Sequence, residues 1–589
     1  MRFVRARRRL LLLALLALAA CRSARPSAGA GAKATESAAP GRDHALVVRG
    51  HVILPDGTAI DDGVVVIEGN RIVRVGSASD VAAPPHAEVV GGPDRWVIPG
   101  LIDAHVHFFQ SGSIYTRPDG VDLTARMPYA QERAAIRAKI DDVFRRYLRS
   151  GVTAVVDMGG PEWNFEVRER AARSPLAPRV AVAGPLLSSV ARPQLALDDP
   201  PMVQVTDPDG ARRAVRAQLR RQPDLVKLWW LVPKGATPET WRAVAQAAID
   251  EAHAAGARVA VHATELETAR LALLAGADVL VHGVRDAPLD DAILALARDR
   301  RVPWVTTAVV GEGYYEFLTR APRLSRAEVE IADPFIVATL LDPVELPPDL
   351  VARARERGPF GPYQLENIRR ERDAGVLVVA GSDAGNPGTF HGPAIHRELE
   401  LLVQAGLTPA EALAACTGSA ARVVSRFADL GAIEPGKLAD LVVLEASPLA
   451  DIRNTSRIAL VVKDGRALRP DEILPRTAVE VVQMQLDAYN AQDLEAFLAT
   501  YADDAAVESA AEGRTLSAGK ASLRERYRDL FAKHPQNRAR VVERKTEGDR
   551  IVLDHEIITG RAPDKPDPWD VGWVRYEVEG GLIRKVMLP

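Results

Sequence analysis

Eight short apolar runs, each trailed by a stretch of helical periodicity, occupy residues 99–383 and constrain the fold more than any other feature of the chain. They are PGLIDAHVHF (99–108), VTAVVDM (152–158), RVAVAGP (179–185), DLVKLWW (224–230), RVAVHA (258–263), DVLVHG (278–283), VPWVTTA (302–308) and VLVVAGSD (376–383). Runs this apolar suit strands buried on both faces, the condition of a parallel sheet covered by helices. Segments such as PETWRAVAQAAIDEAHAAG and ETARLALLAGA supply the helices. Strand and helix alternating eight times predict an α/β fold whose centre is a closed (β/α)8 TIM barrel over residues 98–434.

The barrel has β-rich flanks. ALVVRGHVIL and GVVVIEGNRIVRVG precede it, and LADLVVLEASP and IALVVKDGRAL follow it, with DG and GN pairs suited to tight turns. Residues 44–97 and 435–475 are therefore expected to form one small β-sandwich, split in sequence by the barrel. The connection after the seventh strand, Val309 to Tyr363, is long enough to suggest a functional lid over the barrel mouth. From residue 476 to 589, two helices lead into strands, predicting a separate α+β domain.

The chemistry gathers where the strands end. Side chains at i and i+2 of a strand leave it on the same side, so His105 and His107 point together. Alone they are as consistent with a satisfied polar pair as with metal ligands. The fifth strand ends in His262, the sixth in His282 and the eighth in Asp383, while the fourth carries Lys227. Active sites of such barrels are assembled at the C-terminal ends of several strands. Four of the twelve histidines fall on those ends. Neutral imidazole and carboxylate suit a divalent transition metal, zinc foremost. Lys227 is either an ion-paired strand-end lysine or a carbamate formed with CO₂, which can bridge two metals. Asp383 is either a helix cap or the acid–base group beside the reacting water.

PGLIDAHVHF, VKLW, VHAT, VHG, GSDAG and GAIEPGKLADLVVL together resemble the metal-dependent amidohydrolase superfamily, its imidazolonepropionase and prolidase-like branch, over about residues 44–470. The resemblance implies that His105, His107 and Asp383 bind a first metal and His262 and His282 a second, with carboxylated Lys227 bridging. With one metal bound, His262 joins the first set and His282 orients substrate. It also implies attack of hydroxide from metal-activated water on a carbonyl, with Asp383 carrying the proton to the leaving group. The expected substrate is a small molecule with an amide bond, such as a dipeptide, an N-acyl amino acid or a cyclic amide. Lactone or ester hydrolysis is the chemical alternative, and a non-catalytic solute-binding barrel the other. Trp229, Arg285 and His391 lie on loops after barrel strands and are candidate substrate contacts. Arg285 either clamps a carboxylate or pairs with Asp286. A homo-oligomer is expected.

The two ends of the chain read differently. MRFVRARRRLLLLALLALAAC has a basic head and an apolar run far shorter than the roughly 20 residues of a spanning helix, the pattern of an export signal. Leu18-Ala19-Ala20-Cys21 resembles the bacterial lipoprotein cleavage box, implying signal removal over residues 1–20 and acylation of Cys21. The enzyme would then sit lipid-anchored at a bacterial membrane, facing periplasm or cell surface, with residues 21–43 as a tether. Cys416 is expected to be a small buried residue. Residues 476–589 resemble SnoaL-like and ketosteroid-isomerase-like cone domains, in which Asp503 and Asp504 are expected to be solvated or capping groups. A formal net charge of −3 gives no electrostatic reason to expect a nucleic-acid partner.

Overall fold

The computed structural model describes residues 45–589. Residues 1–20, read as an export signal, Cys21 and the expected tether through residue 43 all lie outside the described residues. All eight expected barrel strands form: Leu101–Val106, Val152–Asp157, Arg179–Val182, Val226–Trp229, Val259–His262, Val279–Val281, Pro303–Val305 and Leu377–Val379. Their interiors are fully buried, as in Val152–Asp157, because helices cover the outside and side chains fill the inside. Neighbours pair in parallel, with Lys227 opposite Ala260 and Trp229 opposite His262.

The ring has two joints where regular pairing lapses. The third strand bends at Gly184, whose φ of 78° lies in the left-handed region, and resumes as Leu186–Ser188, with Leu187 opposite Leu228 of the fourth strand. Asp224 N also donates to Val182 O at 2.8 Å across this joint. Between the eighth and first strands, Ala104 N donates to Ala380 O at 3.2 Å and Asp383 N to His105 O at 2.7 Å. That second joint places Asp383 against the first strand.

The flanking β segments share one hydrogen-bonded sheet of seven strands. Val442 of Leu441–Leu444 sits opposite Ile98 of Glu88–Pro99, which in turn runs parallel to Leu46–Ile53. Val48, Val65, Val97, Leu441 and Val462 form a common core from both sides of the barrel segment in the chain. Cys416 is fully buried, its Sγ 3.5 Å from Ile102 O.

The connection after the seventh strand is built of four helices: Val309–Thr319, Arg326–Ile331, Pro334–Thr339 and Pro348–Arg357. In the C-terminal domain, helices Ala478–Ala491, Leu494–Ala499 and Gly519–Lys533 pack on a six-stranded sheet around Phe497, Tyr501, Val552 and Val574. Asp503 and Asp504 lie on strand Tyr501–Ser509, exposed and paired with Lys520 at 3.0 Å and Arg584 at 2.6 Å. They are solvated ion-pair partners, as their position after a helix suggests.

Candidate active site

The residues at the strand ends converge. His105 Nε2 lies 3.2 Å from His107 Nε2 and 3.4 Å from Asp383 Oδ1, and His107 Nε2 is 3.3 Å from the same oxygen. The His282 ring stands 4.8 Å from that of His105 and 4.4 Å from that of His262. Lys227 lines the same pocket, 1 % exposed, with no hydrogen-bond partner for its Nζ among the described residues. Asp383 and His282 both have left-handed backbone, φ 56° and 75°, and so does Thr307, whose Oγ1 holds His282 Nδ1 at 2.7 Å. Such strained positions at one locus persist because the surrounding hydrogen bonds over-determine them.

These residues fit a divalent cation. His107 Nδ1 donates to Gly159 O at 2.6 Å, a bond that points Nε2 toward His105 and Asp383. Burial drives the pKa values of His105, His262 and His282 well below the ordinary histidine value, so the imidazoles are neutral. Burial disfavours the Asp383 anion as well, and positive charge beside it, from a protonated ring of the cluster or a bound cation, is what holds its carboxyl well below the usual carboxylate range. Ligand atoms of His105, His282 and Asp383 fall within 4.8 Å of one another. Lone pairs and an anion thus face each other with Asp383 Oδ1 lacking a hydrogen-bond donor, an arrangement that a cation resolves. Burial also brings the Lys227 amine down to about 7, leaving much of it unprotonated at neutral pH, the form that reacts with CO₂.

Carboxylates behind the ligands set their backbone. Asp157 accepts from Asn164 Nδ2 at 2.6 Å and from Phe108 N at 3.2 Å, bracing the turn after His107. Asp103 accepts from Ser382 N at 2.9 Å and His105 N at 3.2 Å, fastening the first strand to the loop that bears Asp383. Burial pushes both carboxyls up to about 7 despite these bonds.

The pocket encloses about 220 Å³. Of the candidate substrate contacts, Trp229 and Arg285 line it. Arg285 does not pair with Asp286, whose carboxylate instead accepts from Leu266 N at 2.9 Å. Its Nε is buried without a partner, and burial, with Arg357 nearby, lowers its pKa to about 10. His391 lies elsewhere: its ring stacks on Phe108, with Tyr147 Oη 2.8 Å from Nδ1 and Nε2 donating to Gln110 O at 2.7 Å. It is a packing residue behind the site, and the substrate role expected for it is withdrawn. Trp230 is fully buried against Trp241, since alternation along a strand sends it away from Trp229.

Several pocket residues carried no signal in the sequence. Arg117 and Arg192 both lie 5.8 Å from the Trp229 ring and share Asp119. Asn386 Oδ1 accepts from Arg117 at 2.9 Å and from Tyr314 Oη at 3.0 Å. Each comes from an irregular loop or a long excursion, where no periodicity announces which side chain turns inward. The C-terminal domain holds a second cavity, of about 460 Å³, with Gln485, Tyr501, Glu556 and Tyr576 among its lining.

A barrel with histidines and an aspartate converging at its strand ends presents a candidate cation site, the layout of a hydrolase active site. Residues 96–468 match the amidohydrolase family, and the chain belongs to it; residues 482–586 match the SnoaL-like domain. The chain is 24 % identical to an imidazolonepropionase of Geobacillus sp., over 69 % of this chain and 90 % of that protein. It is 29 % identical to the imidazolonepropionase of Streptomyces avermitilis, over 66 % and 81 %. Among solved structures it resembles a Xaa-Pro dipeptidase with bound methionine, with TM-score 0.56 and 22 % identity over 72 % of this chain and all of that one. That last likeness is one of fold. The protein is a hydrolase acting on carbon–nitrogen bonds.

Proposed function

We propose that the chain cleaves the amide bond of a small substrate bearing a carboxylate, using two divalent metal ions, zinc foremost, one of which His105, His107 and Asp383 would hold and the other His262 and His282, with carboxylated Lys227 shared between them. The observation that carries this reading is the facing of His105 Nε2, His107 Nε2 and Asp383 Oδ1 within 3.4 Å, with no donor for Asp383 Oδ1. When bound, the metal polarises a carbonyl and lowers the pKa of water toward about 7. Asp383 takes a proton from the attacking water on its free oxygen and delivers it to the leaving nitrogen. Arg285, half-buried and with its Nε unpaired among the described residues, receives the substrate carboxylate, a planar match for its fork. Trp229, Leu186, Leu195 and Leu231 form an apolar wall for the rest of the substrate.

The imidazolonepropionase likeness supports a compact substrate of this kind. The export signal and the Leu18–Cys21 box support an enzyme exported and lipid-anchored at a bacterial membrane. A screen of zinc-loaded protein against dipeptides, N-acyl amino acids, cyclic amides and lactones tests the reading, with Asp383→Asn as control. Turnover of a carboxylated amide that disappears in the variant supports it. Turnover surviving in the variant, or confined to lactones, overturns it.

A further inference from the structure

The excursion between the seventh and eighth strands touches both the hydrolase pocket and the C-terminal domain. Its first helix, Val309–Thr319, carries Val310 and Tyr314 into the pocket. Gly313 lets this helix meet the loop after the eighth strand backbone to backbone: an added Cβ would stand 2.7 Å from Pro387 O and from Thr389 Oγ1. The next helix, Arg326–Ile331, begins at a capping box of Ser325 and Glu328 and places Val329, 8 % exposed, in the apolar core of the C-terminal domain. There it joins Val481, Val482 and Phe497, and Leu324 packs against the same cluster. Pro334–Thr339 lies against helix Ala478–Ala491.

Polar ties reinforce the junction. Arg476 donates to Glu330 O at 3.1 Å. Arg146, a buried barrel residue, donates to Ile331 O at 2.7 Å and pairs with Glu480 at 3.0 Å, joining barrel, excursion and C-terminal domain. The other face of the excursion backs the loop after the first strand. Phe317, Val337 and Leu340 pack with Ile114, Tyr115 and Phe390. Tyr115 Oη donates to Asp342 at 2.5 Å, and Ile114 N to Thr339 Oγ1 at 3.3 Å. That loop carries Arg117, which shares Asn386 with Tyr314 over the pocket.

We infer that the C-terminal domain is a specificity element of the hydrolase: by taking Val329 and Leu324 into its own core it fixes the excursion, and so positions Tyr314 and Arg117 on the substrate wall. Its contribution falls on binding, because the residues it holds face substrate while His105, His107 and Asp383 rest on the barrel strands and their joint. The inference rests on the amide-hydrolase reading of the pocket, but its physical core, the clamping of two pocket segments, is measurable without turnover.

The test uses the full chain with Val329→Ala, and with Glu480→Gln as a variant that leaves the apolar core intact. Hydrogen exchange is followed in residues 309–319, 111–123, 259–262 and 551–559. The expected result is exchange faster by about tenfold in 309–319 and 111–123, with 259–262 unchanged. On a substrate found in the screen, KM should rise about fivefold with kcat within about twofold. Exchange that quickens only in 551–559, leaving both pocket segments as protected as in the parent, overturns the inference. So does loosening of 259–262 together with the rest, which marks general destabilisation. If the screen finds no substrate, the amide reading fails while the exchange pattern still decides the clamp.

Discussion

Asp383 N donates to His105 O at 2.7 Å, so the loop that follows the eighth strand is bonded to the backbone of the first histidine of the candidate metal site. The same contact brings the Asp383 carboxylate to 3.4 Å from the His105 ring and closes the seam of the barrel at the site of reaction. Stability of the seam and chemistry at the mouth therefore share one residue.

Asp383→Asn keeps the shape and the backbone bond but removes the proton acceptor and an anionic ligand. The expected loss in kcat is about 10²–10⁴-fold, with the thermal unfolding midpoint little changed. Steady-state kinetics and a melting curve on zinc-loaded protein check both halves. A variant retaining more than a tenth of parental kcat would exclude Asp383 from proton transfer.

Lys227 is buried with a free amine of lowered pKa. Reconstituted with zinc and bicarbonate, the parent should hold about two metal ions per chain and Lys227→Met about one. Elemental analysis gives the ratio, and ¹³C-bicarbonate labelling should show a carbamate resonance in the parent alone. Equal metal content in the two proteins removes the bridging role.

Arg285→Met deletes a half-buried charge whose Nε is unpaired among the described residues. For a carboxylated substrate, kcat/KM should fall by about 10–100-fold, mostly through KM. The matching amide or ester-capped analogue should change little. The ratio of the two specificities is the readout, and an equal loss for both would assign Arg285 to structure.

Glu556, in the C-terminal cavity, has its carboxyl raised by burial from 4.5 to about 7, with Tyr576 Oη donating to it at 2.6 Å. Between those pH values the folded state keeps a proton that the unfolded chain releases, so stability is full below 4.5 and falls as pH rises toward 7. The integrated loss is on the order of 3 kcal/mol. Glu556→Gln should reduce this dependence by that amount, leaving the share of other buried acids such as Asp103 and Asp157, as measured by urea denaturation followed at pH 5 and pH 8. A slope identical to the parent's would place the titration elsewhere.

Most of the site was legible in the sequence because its ligands sit on regular strands. Period-two alternation tells where His105, His107, Lys227 and Trp229 point, and eight strand–helix units tell that their ends meet. His391 misled because it follows Asp383 on a loop, and loop position alone does not say whether a ring turns toward the pocket or toward Phe108 and Tyr147. Arg117, Arg192 and Asn386 were silent for the same reason.

By itself, then, the sequence determined the repeating units, the order of the ligands along them and the chemistry those side chains can perform. Local periodicity and side-chain type carry that information, and both are properties of short segments. Only the tertiary structure decided that Arg285 stands apart from Asp286, that the third strand bends at Gly184 to complete the ring, and that Val329 belongs to the core of another domain. Each of those depends on what residues distant in the chain leave unfilled or unpaired, which no short segment encodes.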